Sequence, residues 1–258
     1  MAYFRCGGGG SSGGAKVYLD GKEVNENMSL VTNYMDIKVS TLPYSFGHGS
    51  AVVLNNEIHI LGSSSTNYKT KHYKWNGSSW TSESTLPYDF SHGSAVVLNN
   101  EIHILGSISP YEERNHYKWN GSRWKRVNTL PYDFYDGSAV VLDGEIHILG
   151  SVSTYNEHNH YKWNGSSWTG VSTLPYGFYN GSVVVLNNEI HILGSASTYE
   201  ERKHYKWNGN SWTRVSTLPW DFGYGSAVVL NNENHILGGY GSLTNHYIIN
   251  MKIYKEVV

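Results

Sequence analysis

Short apolar runs alternate with polar turns along most of the chain, so that neighbouring runs can pair as hairpins. Gly93–Leu98 is one such run; Asn99-Asn100 follows it, and Ile102–Gly106 is the next run. Asn, Asp and Gly tolerate the positive φ angles of tight hairpin turns. No segment shows the 3.6-residue period of an amphipathic helix. The pattern therefore predicts an all-β chain of short antiparallel strands.

The strand pattern repeats with a fixed period. The dipeptide Leu-Pro occurs five times at intervals of 44 residues, beginning at Leu42, Leu86, Leu130, Leu174 and Leu218. Two more strands follow the hairpin in each unit, such as His116–Trp119 and Trp124–Val127 with an Asn-Gly-Ser turn between them. Four short strands per repeat are the plan of a propeller blade. We therefore predict a closed β-propeller of five four-stranded blades, at residues 41–84, 85–128, 129–172, 173–216 and 217–258.

The position of each strand within a blade follows from the size and charge of its side chains. The Gly-Ser-Ala-Val strand has the smallest residues, which suits the crowded position nearest the axis. The Trp-Thr-Arg-Val type of strand carries charges, which discourage edge-to-edge pairing and therefore suit the outer edge.

This pattern resembles the kelch repeat. Ala51–Gly62, then His72–Trp80, then Leu86-Pro87 follow the order of kelch elements, and the resemblance extends over residues 36–258. One departure is the kelch double glycine, which occurs only at Gly238-Gly239, while other units have Gly-Ser, as at Gly62-Ser63. The resemblance implies divergent kelch blades but says little about the ligand.

The two ends of the repeat region compete for one place in the propeller. Ile37–Ser40 and Tyr254–Val257 both match the outer strand of a blade. We expect Ile37–Thr41 or Tyr254–Val257 to complete the last blade, because closing the ring removes exposed strand edges. A sixth, partial blade built from Lys16–Leu42 is the alternative.

The N-terminal region differs in composition from the repeats. Met1–Arg5 and Cys6 precede a run of Gly and Ser, from which we predict a flexible tether over residues 1–14. Residues 15–35 are predicted to form an arm or hairpin, and residues 36–258 the propeller. The aromatic start, the glycine run and Lys16–Val24 resemble the front of phage or prophage tail-associated proteins, which implies a tail-borne binding module.

Charge and composition exclude several classes of function. The net charge is −2 with 16% charged residues, and no basic stripe is present, so we expect no nucleic-acid partner. No apolar run is long enough for a membrane span, so we expect no membrane insertion. No signal peptide is recognisable, so we expect the protein to be made in the cytoplasm, and association with a virion is one context for it. A single cysteine excludes an internal disulfide framework.

The histidines and carboxylates do not predict an enzyme. Ten of the 13 histidines recur at two fixed repeat positions, and spreading them over five blades separates them instead of gathering them around a metal. A copper oxidase of the galactose oxidase type needs a cysteine crosslinked to a tyrosine, but Cys6 lies in the tether. Convergent arginines for a sialidase are not evident. We therefore predict no metal, no cofactor and no catalytic residues.

Comparison of the units within the chain separates two faces of the propeller. The turn between the first and second strands and the Asn-Gly-Ser turn scarcely change; we call this side the constant face. The loops after the second and fourth strands diverge, and we call their side the variable face. Tyr111, Tyr155 and Tyr199 lie there, either exposed or packed between blades. The predicted ligand-binding residues on this face are His48, His92, Tyr135, Asp136, Tyr179, Asn180, Tyr224, Arg114 and Arg202.

Aromatic rings beside hydrogen-bonding side chains suit sugars and protein hot spots. The sequence therefore predicts a non-enzymatic binding module that recognises a glycan or a protein surface. The alternatives are an intracellular kelch scaffold for protein partners, a repeat protein made by consensus design, and a glycan-active enzyme.

Overall fold

The computed structural model describes residues 2–4, 17–19, 22–24, 40–153, 155–230, 232–240 and 246–249. The chain divides into two compact units, Met1–Thr41 and Leu42–Val258. Every described element is a β-strand. None of the described segments forms a helix with the length and apolarity that crossing a membrane requires.

The N-terminal unit contains a small antiparallel sheet. Its strands are β1 (Ala2–Phe4), β2 (Val17–Leu19) and β3 (Lys22–Val24), paired in the order β1-β2-β3. Val17 pairs with Val24 and Leu19 with Lys22, so β2 and β3 form the hairpin of the predicted arm. β1 falls within the predicted tether, and the glycine run of that tether lies outside the described residues.

The second unit is a five-bladed β-propeller. Blade 1 contains β4 (Ser50–Leu54), β5 (Glu57–Leu61), β6 (His72–Trp75) and β7 (Trp80–Ser82). Blade 2 contains β8 (Ser94–Leu98), β9 (Glu101–Leu105), β10 (His116–Trp119) and β11 (Trp124–Arg126). Blade 3 contains β12 (Ser138–Leu142), β13 (Glu145–Leu149), β14 (His160–Trp163) and β15 (Trp168–Gly170). Blade 4 contains β16 (Ser182–Leu186), β17 (Glu189–Leu193), β18 (Lys203–Trp207) and β19 (Trp212–Thr217). The described strands of blade 5 are β20 (Ser226–Leu230), β21 (Glu233–Leu237) and β22 (His246–Ile249).

Each blade is an antiparallel meander, and its first strand is innermost. The order in blade 1 is β4-β5-β6-β7, and the same order recurs in the other blades. First strands of consecutive blades contact one another, as β4 contacts β8 and β8 contacts β12. The small residues of these strands permit that close approach, so the predicted strand positions are confirmed.

The Leu-Pro segment packs consecutive blades together. Leu130 and Phe134 are fully buried in a cluster that joins Leu105 of blade 2 to Ile146 of blade 3. Equivalent clusters join blades 1 and 2, blades 3 and 4, and blades 4 and 5. A buried phenylalanine contributes roughly 1.5–3 kcal/mol of hydrophobic stabilisation. The repeat of Leu-Pro-aromatic-X-Phe therefore holds the propeller together at each of these four interfaces.

The outer flanks of blades 1 and 5 are less covered than these interfaces. Ile58 of blade 1 is 41% exposed, whereas its counterparts Ile102, Ile146 and Ile190 are fully buried. Val228 of blade 5 is likewise more exposed than Val96 or Val184. The segments predicted to complete the last blade, Ile37–Thr41 and Tyr254–Val257, lie outside the described residues except for Ser40 and Thr41.

The predicted fold class is confirmed: the chain is all-β, with five blades in a β-propeller. The described strands of Lys16–Leu42 do not form the alternative sixth blade. β2 pairs with β1 and β3 pairs with β2, in the N-terminal sheet.

Candidate ligand-binding site

The residue that enters each innermost strand lies two positions after the buried phenylalanine, next to the propeller axis. We call these five the axial residues: His48, His92, Asp136, Asn180 and Tyr224. In blades 2 to 5, the backbone N–H of the axial residue donates to the carbonyl oxygen of the axial residue in the preceding blade, over 2.7–2.8 Å. Main-chain bonds thus connect the five blades at the axis, whatever side chain the position carries.

The backbone at the axial positions is left-handed. The φ angles lie between 49° and 61°, a region that Asn, Asp and His enter more readily than most residues. A glycine follows each axial residue, and at Gly137 an added Cβ would lie 2.4 Å from the Gly150 oxygen and 2.5 Å from the Phe134 ring. The loop is therefore packed too closely for any other residue at the glycine position.

Four axial residues line one cavity. It has a volume of about 190 Å³, and its walls are His48, Gly49, His92, Gly93, Asp136, Gly137, Ser138, Asn180 and Gly181. Pockets for drug-sized ligands are larger, at roughly 300–1,000 Å³. The axial cavity therefore suits a small polar group or one end of a longer ligand.

The polar groups of the cavity are already ordered. The His48 and His92 rings stack with centroids 4.1 Å apart and an angle of 14° between their planes. His92 Nδ1 lies 2.8 Å from Asp136 Oδ1. Because a carboxylate can only accept, Nδ1 carries the proton, and Nε2 of neutral His92 is left as an acceptor. Asp136 and His92 thus present a fixed pattern of hydrogen-bonding groups.

The three predicted tyrosines are not among the residues that line the cavity. Tyr224 is exposed, and its ring lies 6.5 Å from that of Tyr240. The Tyr179 hydroxyl donates to the Ala196 oxygen at 3.3 Å, and burial raises the pKa of Tyr179. Tyr135 is half-buried, and its carbonyl accepts from the Val152 N–H at 3.1 Å. Tyr135 and Tyr179 directly precede the lining residues Asp136 and Asn180 in the chain.

Arg114 and Arg202 do not join this group. Arg114 Nε donates to the Leu130 oxygen at 2.8 Å, and its Nη2 donates to the Pro131 oxygen at 3.0 Å. Arg202 makes the same two bonds to Leu218 and Pro219. Each guanidinium thus connects its blade to the Leu-Pro segment of the next, which gives it a role in blade packing.

The ten repeated histidines form one pair in every blade, which is buried in blades 1 to 4, whereas His246 of blade 5 is exposed. In blade 2, His103 Nδ1 lies 2.8 Å from His116 Nε2, and the pairs of the other blades are 2.8–2.9 Å apart. Burial lowers the pKa to about 4 at His103, His147 and His191. Burial, followed by the neighbouring imidazole, lowers the pKa to about 3 at His72, His116, His160 and His204. In blades 1 to 4, neutral imidazoles that bond to each other explain why both positions repeat, which the sequence did not predict.

The structure also shows residues whose role the sequence left open. Tyr111, Tyr155 and Tyr199 are 96%, 90% and 88% exposed, so packing between blades is the wrong alternative for them.

No group of three or more His, Cys, Asp or Glu side chains placed to hold a metal occurs in the described part of the chain.

Comparison with known proteins assigns the chain to no family. No protein-family model matches the chain, and no curated protein matches it. Among solved structures, the chain is similar to one described as "Structure of YjhT", at 13% identity and a TM-score of 0.47. The match covers 83% of this chain and 97% of that one. A likeness at this level carries no information about the ligand.

Proposed function

We propose that this protein is a binding module that holds a carbohydrate on its variable face, with the axial cavity as the centre of the site. The observation that carries the proposal is the contrast within the axial residues. Their backbone angles are nearly identical and the same main-chain bond joins one to the next, yet the five positions carry four kinds of side chain: imidazole, carboxylate, amide and phenol. A purely structural position in a repeat gives no reason for that variety.

The chemistry of the cavity favours a hydroxyl-rich ligand. His92 and Asp136 are held by each other, and Asn180 adds an amide with two donors and one acceptor. A sugar ring supplies hydroxyl groups that both donate and accept, and it fits a cavity of about 190 Å³ better than a protein surface does. Tyr135 and Tyr179 then act as flanking anchors, each contributing roughly 1–3 kcal/mol, the range expected for a hot-spot residue.

The proposal is binding without chemistry. Hydrolysis of a glycosidic bond commonly uses two carboxyl groups about 5–9.5 Å apart. Of the residues that line the cavity, Asp136 alone carries a carboxylate, and His92 is bonded to it. This geometry favours recognition over a glycoside hydrolase.

The resemblance to kelch repeats and to tail-associated proteins belongs to the same proposal. A tail-borne propeller would meet polysaccharides on the surface of a host cell. The order and spacing of the strands support the kelch part, and the N-terminal segment is what supports the tail part.

A glycan array with the full chain, followed by calorimetry on the ligands found, tests the function. We expect His92→Ala and Asn180→Ala each to weaken binding by about 10- to 100-fold, the range expected for a central anchor. Arg123→Ser is the matched control, because Ser79, Ser167 and Ser211 occupy that position of the constant face in other blades. Binding that survives both axial changes, or an array without any ligand, would contradict the proposal.

A further inference from the structure

Among the residues that the structure describes, those with positive φ other than glycine fall into three groups. Eight are Asn or Asp in the hairpin turns, where left-handed backbone is required and these residues are favoured. Five are the axial residues, whose conformation is explained by the main-chain bonds between blades. The last group consists of Tyr111, Tyr155 and Tyr199, at φ angles of 72°, 71° and 70°. We call these three the rim tyrosines.

The rim tyrosines occupy a position that normally belongs to glycine. The Ser109 oxygen accepts from the Glu112 N–H at 3.0 Å, which makes Tyr111 the third residue of a four-residue turn. Equivalent bonds join Ser153 to Asn156 and Ser197 to Glu200. A left-handed third residue is the mark of a type II turn and favours Gly or Asn. A tyrosine there is an unfavourable choice for the backbone.

Burial does not compensate for this choice. The three side chains are at least 88% exposed, so they add almost nothing to the core. Blade 1 supplies a comparison, since Asn67 stands at the equivalent position and has no left-handed backbone. Asn, which tolerates the conformation, does not adopt it, whereas three tyrosines do. Folding alone therefore does not account for the rim tyrosines.

The turns keep the rim tyrosines in fixed positions. Directly after each tyrosine, a polar side chain contacts the residue three positions further on. Glu112 accepts from Asn115, Asn156 accepts from Asn159 at 2.9 Å, and Glu200 pairs with Lys203. With the backbone fixed, only the two side-chain torsions of each tyrosine remain to be ordered when a ligand stacks on its ring.

We infer that each rim tyrosine is a separate sugar-stacking site, so that the variable face binds a glycan with repeating units at three points one blade apart. The inference rests on the proposed function and adds these sites to the axial cavity. Each ring is almost fully exposed and is followed in the chain by a polar residue, Glu112, Asn156 or Glu200, unlike the clustered, desolvated anchors of a protein interface. A repeated ligand is required because the three sites present the same ring in the same conformation.

The test measures polymer and monomer binding separately. The probes are dextran, mannan, galactan and chitin oligosaccharides, together with the methyl glycosides of their sugars, passed over the immobilised full chain. In the polymer that binds, we expect each of Tyr111→Gly, Tyr155→Gly and Tyr199→Gly to reduce apparent affinity by roughly 3- to 10-fold and the triple variant by 100-fold or more. Binding of the methyl glycoside at the axial cavity should stay unchanged.

Glycine is the informative replacement because the turn accepts it. The melting temperature of each variant should stay within about 2 °C of the parent, because relief of the left-handed tyrosine offsets the added freedom of glycine in the unfolded chain. Tyr→Phe variants should retain polymer binding, since the ring and not the hydroxyl group stacks. Loss of stability in the glycine variants would show a structural role and overturn the inference.

The remaining outcomes separate this inference from the proposed function. A triple variant that binds the polymer normally, while His92→Ala does not, overturns the rim sites and leaves the axial site standing. A triple variant that also loses the methyl glycoside contradicts separate sites. Failure of the parent protein to bind any of the probes counts against both.

Discussion

The two faces of the propeller are made by the same strands, but they use left-handed backbone differently. On the constant face, the positive φ angles belong to Asn, Asp and Gly in the turns, as at Asn99, Asp143 and Gly121. On the variable face, His92 and Tyr111 adopt a comparable conformation. Residue type and backbone agree on the first face, and on the second face they disagree at the three rim tyrosines. Under the proposed function, a ligand accounts for that disagreement.

The Asn-Gly-Ser turns illustrate complete agreement on the constant face. The Asn120 Oδ1 accepts from the Ser122 N–H, the Ser122 hydroxyl and the Arg123 N–H, at 3.0–3.1 Å. An added Cβ at Gly121 would meet nothing within 4 Å, so the left-handed φ of 97° is the reason for glycine there. Local geometry accounts for every residue of this turn.

Acidification should have the largest effect on stability, because unfolding of the propeller disrupts the constant and the variable face together. Seven buried histidines of the pairs in blades 1 to 4 have pKa values of about 3 to 4 in the folded protein, below the unfolded value of about 6.5. The unfolded chain therefore binds more protons below pH 6.5, and stability falls as the pH falls. Each histidine contributes a slope of up to ~1.4 kcal/mol per pH unit in this window.

Circular dichroism and tryptophan fluorescence between pH 8 and pH 3 check this prediction. We expect a cooperative loss of structure between about pH 6 and pH 4, and little pH dependence of stability from pH 6.5 to pH 8. A propeller that remains fully folded at pH 3 would show that the histidine pairs accept protons without cost. The two faces should be compared above pH 6.5.

Replacing one glycine by alanine on each face should lower the free energy of unfolding by different amounts. Gly137→Ala places a Cβ 2.4 Å from the Gly150 oxygen, and we expect a loss of about 3–5 kcal/mol or failure to fold. Gly121→Ala meets only the left-handed φ, and its cost should be about 1 kcal/mol. Urea denaturation of both variants measures the difference. Equal costs would contradict the close packing of the axial loops.

The smallest effect is expected from the turn of the constant face. Asn120→Ala removes the acceptor of three hydrogen bonds at an exposed turn and should cost roughly 0.5–1.5 kcal/mol. Carbohydrate binding should not change, because the turn lies on the other face from the axial cavity. A thermal melt and one binding isotherm suffice. Weaker binding in this variant would mean that the constant face takes part in recognition.

Much of the architecture could be predicted from the sequence, because the repeat encodes it several times. The 44-residue spacing, the Asn-rich turns and the small residues of the first strand each predicted an element that the structure shows. His92 and Asp136 were placed on one face by the same argument, and they lie 2.8 Å apart. Periodicity predicts position when equivalent residues occupy equivalent places.

The roles of individual side chains were harder to predict. Arg114 was assigned to a ligand from its place in a variable loop, but it bonds to Leu130 and Pro131 of the next blade. The exposure of Tyr111 depends on the left-handed turn that carries it. Contacts between units and backbone angles of loops arise from three-dimensional packing, and the repeat pattern does not contain them.

The main-chain ladder at the axis has a consequence for how such a protein can change. Since the bonds between blades use only N–H and C=O groups, exchanging His92 for the Asn or Asp found in a neighbouring repeat leaves the ladder intact. The side chain at an axial position can therefore be exchanged without loss of the main-chain bonds between blades. Recombination between near-identical repeats would change one axial side chain at a time, so under the proposed function new ligand specificities are reachable by exchanging blades that already fold.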